Sequence, residues 1–589
     1  MLNDPDLLAL QEVRTKVDQA YSAWLRYRDL PQQQIDAVIE RISSAARASA
    51  RRLAELAVQE TGYGNVRDKT IKNLLGADLL VRSLRGVKTV GILRDDAERK
   101  VVEIGVPVGV VAAILPTTNP TSTAIYKTVI SLKAGNGIVL SPHPRAKACT
   151  CETAAILARA ALEAGAPDGL VQCLSHPSIE ATNELMRHKR VAVILSTGGS
   201  GMVRAAYSSG KPAYGVGPGN VPVVIEESAD VPQAIALIVQ GKSFDFGTLC
   251  SSEQTVIVEQ PLRDRVLAEF QKQGAFLCTP AQSGALAKTL FLAPAMTVNP
   301  ESVGLHPAKI ATMSGFSAPA ETTILLAEIA GVGKEHPLSA EKLSPVLSIL
   351  FVPDFRAALD AAESVLRFHG LGHTCGIYSN DDARVREFAL RMPAMRVLCN
   401  TPTPQGSVGI TTNLPPAMTL GCGAEAGNST GDNIGPLHLI NIKRLAYGVR
   451  RPDDAFPAEI EAPAAAKNAS SPTRATIAVA VDNYLATRAA LLKSSTRPSS
   501  AAVVDSFLAG RKTPASVMCE PKEDPPPAAA REREPPPLSD LPIADFVCEN
   551  DVRAAIDKSQ KIYIGPKTIV TPSARDLASK HDTLVVAKR

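Results

Sequence analysis

Between residues 100 and 225, short runs of β-branched residues alternate with stretches of helical composition, and this alternation limits the possible folds more than any other feature of the chain. From Lys100 the run VVEIGVPVGVVAAIL reads as a strand, a turn at 105–109 and a buried strand. Ser122 to Ala134 then reads as a helix, 137–140 as a strand, Ala146 to Ala164 as an Ala-rich helix, 171–174 as a strand, Ile179 to Arg187 as a helix and 191–195 as a strand. Strand, helix and strand joined by short links form a parallel crossover, so their repetition predicts a doubly wound α/β sheet. Such sheets take ligands beyond the carboxyl ends of their strands. Pro116, Thr117 and Asn119 follow the buried strand, Ser141, His143 and Pro144 follow the next, and Thr197, Gly198 and Gly199 follow the one at 191–195. The Gly-rich turn at 197–201 feeds a helix from Met202, which suits a pyrophosphate held by backbone amides. It is not a GxGxxG fingerprint, and a plain turn satisfies the pattern equally well.

Ahead of this block, residues 5–85 carry apolar side chains at helical spacing, among them Ile35, Val38, Ile39, Ile42, Leu53, Leu56 and Ala57, which predicts two or three amphipathic helices. Behind it, 215–225 is a Gly/Pro turn entering a buried strand, and a helix at 229–239 delivers the chain to GKSFDFGTLCSSEQ at 241–254. Small residues Gly247, Thr248 and Ser251 flank Cys250 and leave the backbone free to approach a substrate, the setting of a nucleophilic thiol. A buried, inert thiol is the other reading of the same residue. Further alternating elements run from 254 to about 400, and Glu341 sits in a polar loop just before a strand at 346–352. It is either a solvated loop charge or a ligand for a ribose hydroxyl pair.

A chain of 589 residues exceeds one hydrophobic core, so two or three domains are expected. With 21% charged residues and a net charge of +4 there is no basic surface for a nucleic acid. The run Val108–Leu115 is far short of the about 20 residues a membrane span needs, and the N-terminus, mixed acidic and apolar, shows no basic region or small-residue cleavage site of a secretory signal. A cytoplasmic protein with reduced thiols is expected, since the ten Cys show no repeated CxxC spacing. No metal site is expected either. Cys149-Thr-Cys151 is too close for a zinc knuckle, and His369 and His373 sit in an HGLGH turn without the Glu of a zinc helix.

Seven stretches, taken in order, resemble the aldehyde dehydrogenase superfamily, and within it the acylating, coenzyme A-dependent branch of the microcompartment or ethanolamine-utilisation type. They are LPTTNPTSTAIYKT at 115–128, LSPHPRA at 140–146, STGGSGMV at 196–203, YGVGPGNVPV at 214–223, FGTLCSSEQ at 246–254, EKLSPV at 341–346, and RVLCNTPTPQGSVG with MTLGCG between 396 and 423. The resemblance implies a nucleotide-binding domain over 1–232, a catalytic domain over 233–415, and a return over 416–452 to the nucleotide-binding and oligomerisation region. A small hairpin would join subunits into a homodimer or homotetramer. It further implies that Cys250 is the nucleophile and Asn119 the side-chain oxyanion donor. NAD, or NADP, would lie against Pro116, Thr117, Ser141, His143, Pro144 and the turn at Thr197, Gly198 and Gly199, with Glu341 on the nicotinamide ribose. Two departures matter. Ser141 begins Ser-Pro-His-Pro where non-acylating relatives have a Lys-Pro motif, leaving the choice between NAD and NADP open, and Val216 stands where they have a general-base Glu. Without that base a Cys-bound thioester is poorly hydrolysed, and coenzyme A becomes the favoured acceptor. The expected reaction is oxidation of a short aldehyde to acyl-CoA. The competing readings are a hydrolytic aldehyde dehydrogenase and a non-catalytic scaffold acting through its tail.

After Val449 the composition turns to Ala, Pro and Ser, so 453–544 reads as flexible linker around an amphipathic helix near 476–494, with Ile477, Val481, Tyr484, Leu485, Arg488, Leu491 and Leu492 near one face. That helix is either a docking peptide or folds back on the core. The segment 545–589 resembles a short piece found near the ends of bacterial microcompartment enzymes, which implies shell proteins as partners. A segment serving only oligomer contacts is the alternative.

Overall fold

The computed structural model describes residues 4–455 apart from 295, 474–493, and 543–586 apart from 559 and 582. The chain divides into a unit over Met1–Ile460 and a second over Glu461–Arg589.

The first unit opens with three helices whose ends follow from local chemistry. The Asp4 carboxylate accepts from the N–H groups of Asp6 and Leu7 and caps Pro5–Tyr27. Gln32–Thr61 stops where Gly62 takes a left-handed φ of 72°. Asn65 caps Val66–Leu74 through the N–H of Asp68. The helical spacing holds: Ile35, Val38, Ile39, Ile42, Leu53 and Ala57 are all buried.

Strands β1 (Gly91–Asp96) and β2 (Val101–Pro107) form an antiparallel hairpin. Strands β3 (Val110–Ile114), β4 (Gly137–Ser141), β5 (Val171–Cys173), β6 (Val191–Thr197) and β7 (Ala213–Val216) then build a parallel five-stranded sheet in the order β5-β4-β3-β6-β7. Val111 and Ala113 face the helices Gln32–Thr61, Pro120–Lys133 and Lys147–Glu163. Val110, Ala112 and Ile114 face Pro5–Tyr27 and Ile179–Arg187. Both faces are covered, which is why the run is apolar without alternation. The winding reverses between β3 and β6, so a crevice opens at their carboxyl ends.

The second sheet is parallel and seven-stranded, in the order β10-β13-β14-β9-β8-β15-β16. Its members are β8 (Val221–Ile225), β9 (Glu253–Glu259), β10 (Ala275–Leu277), β13 (Ile324–Glu328), β14 (Val346–Val352), β15 (Gly372–Tyr378) and β16 (Ala394–Cys399), while β11 (Phe291–Leu292) and β12 (Thr297–Val298) form a small separate hairpin. The chain crosses from the first sheet to the second at 217–220. A boundary at 232 therefore falls one strand late, because β8 is buried along its length and hydrogen-bonded between β9 and β15. The turn expected from 215 likewise begins later, as Ala213–Val216 pairs with β6.

Strand β17 (Ile440–Ala446) returns to pair with β2, giving a three-stranded antiparallel sheet. Neither β1 nor β17 was anticipated from composition, since both are largely exposed and carry no apolar face to mark them.

In the second unit, Arg474–Lys493 is a helix with Ile477, Val481, Tyr484 and Leu485 exposed, and Val479 is exposed as well. Strands β18 (Ile543–Val547), β19 (Ile562–Val570) and β20 (Leu584–Val586) form a parallel sheet, with helices Glu549–Asp557 and Pro572–His581 in the crossovers. None of these three strands was expected from the sequence. The linkers expected at 456–473 and 494–542 lie outside the described residues. Among the described residues no helix is long and apolar enough to cross a membrane, and no three His, Cys, Asp or Glu converge as a metal site.

Candidate active site

A cavity of about 800 Å³ lies between the carboxyl ends of β3 and β6 and the amino ends of β9 and β14. Pro116, Thr117 and Asn119 line it from the end of β3, Ser141, His143 and Pro144 from the end of β4, and Thr197, Gly198 and Gly199 from the end of β6. Val216, Cys250 and Glu341 complete the set of residues singled out in the sequence. Residues spread over more than 220 positions therefore share one cavity because two parallel sheets point opposite ends at it.

Cys250 lies in the turn before β9, just after Asp245 and Phe246, whose φ angles of 47° and 52° are left-handed. Its thiol is 3.2 Å from Nε2 of His373, at the start of β15. His373 was not anticipated as a site residue: it is one of the two histidines of the HGLGH turn, and no sequence spacing links it to a thiol 123 positions away. On its other side, Nδ1 is 3.0 Å from Thr374 Oγ1, which also accepts from Arg396 Nε. With Nδ1 protonated toward that hydroxyl, Nε2 is free to accept the thiol proton.

Arg396 is buried behind this pair and donates to the carbonyls of His373 at 2.7 Å and Gly421 at 2.6 Å. Burial pushes the Cys250 thiol up to about 12, Glu341 adds to this, and Arg396 opposes it. Burial, reinforced by Arg396, takes His373 down to about 3. The pair thus rests as a thiol beside a neutral imidazole, and the thiolate forms only as the sulfur reacts.

The crossing segment passes very close to these groups. A Cβ on Gly219 would come within 2.2 Å of the Cys250 carbonyl oxygen and 3.0 Å of His373, so only glycine fits. The Gly219 N–H also donates to Glu341 Oε1 at 3.0 Å. Glu341 is raised to about 7, burial outweighing that hydrogen bond and the nearby Lys242 and Lys342. It is a buried carboxylate on the cavity wall, not a solvated loop charge.

Asn119 stands at the start of Pro120–Lys133 with its side chain fixed at both ends. Oδ1 accepts from Lys72 Nζ at 2.5 Å, and Nδ2 donates to Thr118 Oγ1 at 3.0 Å and to the Thr248 carbonyl at 3.3 Å, two residues from Cys250. The amide donor is therefore aimed at the nucleophile's turn.

At the far end, Thr197 Oγ1 is buried without a hydrogen-bond partner, Gly199 has open space where a side chain would be, and the helix Ser200–Tyr207 starts there. An unpartnered hydroxyl, accessible amides and a helix N-terminus match what a pyrophosphate requires. Ser141 Oγ is 3.1 Å from Thr182 Oγ1, and burial, with Arg145, keeps His143 below its usual range.

The profile of the Aldehyde dehydrogenase family matches residues 6–281. The chain is 42% identical over 440 residues to the bifunctional aldehyde-alcohol dehydrogenase of Escherichia coli, covering 74% of this chain and 49% of that protein. It thus spans about half the length of the curated relatives that match most strongly. An acetylating aldehyde dehydrogenase from Geobacillus thermoglucosidasius superposes with a TM-score of 0.75 at 48% identity, over 76% of this chain and 99% of the other. Two propionaldehyde dehydrogenase structures each superpose with a TM-score of 0.67 over 74% of this chain. One comes from the Clostridium phytofermentans fucose utilisation bacterial microcompartment, at 27% identity and covering 97% of that chain. The other, from Rhodopseudomonas palustris, holds bound CoA and an acylated cysteine, at 28% identity and 97% coverage.

Proposed function

The chain belongs to the aldehyde dehydrogenase family, and on that premise we propose that it oxidises a short aliphatic aldehyde to its acyl-CoA through a thioester on Cys250. The observation that carries this reading is the wall of the cavity beside the thiol. Val216 packs in the same apolar cluster as Leu249 and Cys250, and among the described residues Glu341, turned to the Gly219 amide, is the only carboxylate lining the cavity. His373, the base beside the sulfur, carries the thiol's proton at this stage, and Val216 puts no carboxylate ready to activate water there, so a thiol that is already a good nucleophile takes the acyl group.

The chain's own groups account for each step. The Cys250 sulfur adds to the aldehyde carbon while its proton passes to His373 Nε2, and the carbonyl π pair becomes an oxyanion. The amide of Asn119 and a backbone N–H beside Cys250 meet that charge. As the oxyanion pair reforms the carbonyl, the hydrogen leaves with both electrons of its C–H bond, producing the thioester. NAD(P), when bound, supplies the ring that accepts this hydride, and the residues suited to hold it are Thr197, Gly198 and Gly199 at the pyrophosphate, Glu341 at a ribose, and Pro116, Thr117, Ser141, His143 and Pro144 along the rest. CoA then enters as its thiolate, its proton lost to solvent; its sulfur adds to the thioester carbon, the resulting oxyanion collapses, and Cys250 departs, taking back the proton held by His373. Homologous support comes from the relative whose cysteine is acylated with CoA bound.

The test is steady-state NADH or NADPH formation from acetaldehyde and propionaldehyde, with and without CoA. CoA-dependent acyl-CoA formation, abolished in Cys250→Ala, is the expected result. Free carboxylate formed at full rate without CoA would mean a hydrolytic enzyme.

We further propose that the chain is cargo of a bacterial microcompartment, addressed by the segment after 455. The support is the separate compact unit at Glu461–Arg589 and the neighbour from a fucose utilisation microcompartment. Shell proteins should co-purify with the full chain and not with a chain ending at 455; equal recovery with both would end this proposal.

A further inference from the structure

Behind Asn119 lies a buried charge cluster that the reaction as written does not use. Lys69 and Lys72, one helical turn apart on Val66–Leu74, both reach the carboxylate of Asp245, and all three side chains are at most 2% exposed. Asp245 is held from every side. Its Oδ1 accepts from the Asn65 N–H at 2.8 Å, its own N–H donates to Asp68 Oδ2 at 2.8 Å, and Thr248 Oγ1 donates to Oδ2 at 2.7 Å. Lys69 Nζ also donates to the Thr118 carbonyl at 2.8 Å, directly before Asn119. Gly64, with φ 72°, passes so close that a Cβ there would sit 1.9 Å from Asp245 Oδ1. Such a cluster is costly to bury, and a hydrophobic replacement of similar volume is often as stable, so stability alone does not explain it.

We infer that Lys72 is a positioning residue for the oxyanion donor, fixing which way the Asn119 amide points and strengthening its N–H. An ammonium group only donates, so the Asn119 atom it meets must be the carbonyl oxygen. Nδ2 is thereby turned to the Thr248 and Cys250 side. A cation on the amide oxygen draws electron density from nitrogen and makes Nδ2–H a better donor as negative charge develops on the substrate oxygen. Burial lowers Lys72 to about 8 while Asp245 opposes the fall, so the group is mostly charged at neutral pH. Asp245, itself paired with Lys69, holds the ammonium in place from behind. This inference rests on the nucleophilic role of Cys250 but not on the acceptor of the acyl group.

The test separates the two. 1,1,1-Trifluoroacetone adds reversibly to a cysteine thiolate and leaves an oxyanion without nicotinamide or CoA, and its adduct is read by fluorine NMR. Lys72→Met is expected to weaken the adduct by roughly 10 to 10²-fold, and to lower kcat by a similar factor with KM for the aldehyde little changed. The rate of Cys250 alkylation by iodoacetamide, which builds no oxyanion, should remain near that of the unaltered protein. In an Asn119→Ala background the same change should cost less than about twofold, because its route of action is gone. An undiminished adduct in Lys72→Met, or full additivity with Asn119→Ala, overturns the inference. Lys72→Gln, neutral but still able to bond Asp245, gives the same reading if the Met variant does not fold. A strong adduct in the unaltered protein without aldehyde-dependent NADH or NADPH would instead overturn the proposed activity and leave the role of Lys72 standing.

Discussion

The thiol on the cavity wall and the imidazole buried behind it are matched by what surrounds them rather than by their own acidities. A thiol raised to about 12 is almost fully protonated at pH 7, so its reactivity depends on an acceptor 3.2 Å away. That acceptor, lowered to about 3, stays neutral through the physiological range. The sign of the pH dependence follows. With His373 in place, the proton-acceptor step itself brings no pH dependence between pH 6 and 9, because the base is already unprotonated, and kcat/KM should fall only as Lys72 loses its charge above about 8. In His373→Ala only preformed thiolate reacts, and its fraction rises roughly tenfold per pH unit below the thiol pKa. A pH profile of that variant should therefore climb steeply from pH 6 to 8, below the loss of charge on Lys72, and a flat profile there would remove His373 from the proton's path. Asn119→Ala should lose about 10² to 10³ in turnover while Cys250 still alkylates stoichiometrically.

Among the elements, those read correctly from sequence are the ones whose burial imposes a pattern. The run ending at Leu115 is buried on both faces and appears as β3, and the helical spacing of Ile35 to Ala57 appears as one face of Gln32–Thr61. β1 and β17 escaped because an exposed strand held only by a ladder leaves no apolar period. His373 escaped for a different reason. β15 reaches Cys250 only because it lies on the far side of β8 from β9, an order that local spacing does not encode. The motif resemblance picked out Asn119, Cys250, Glu341 and the turn at Thr197, which lie in the loops at strand ends and line one cavity. The crossing between β7 and β8 provides an element-level test. Gly219→Ala should force the segment off the Cys250 carbonyl, destabilising the protein by about 1–3 kcal/mol and lowering kcat more than Tm alone suggests. Thermal melts beside steady-state assays would check this, and wild-type behaviour in both would show that the crossing has slack.

For the whole molecule, the division at 460 predicts that catalysis belongs to the first unit. A chain ending at 455 should keep its kcat for acyl-CoA formation within about twofold, since every cavity-lining residue lies before it. A large loss would mean that the later residues contribute to the first unit's integrity. Within that unit, the four residues at 217–220 have a consequence for substrate range. Gly219 touches Cys250, His373 and Glu341 at once, while Asn220 is tied through its side chain to the carbonyls of Ser339 and Val365. The machinery thus has no room for even one added methyl group where one sheet hands the chain to the other. Parts built to such a fit do not stretch to accommodate a bulkier aldehyde. Any divergence among proteins of this design in what they accept has to be written around the rim of the cavity, leaving its hinge point unaltered.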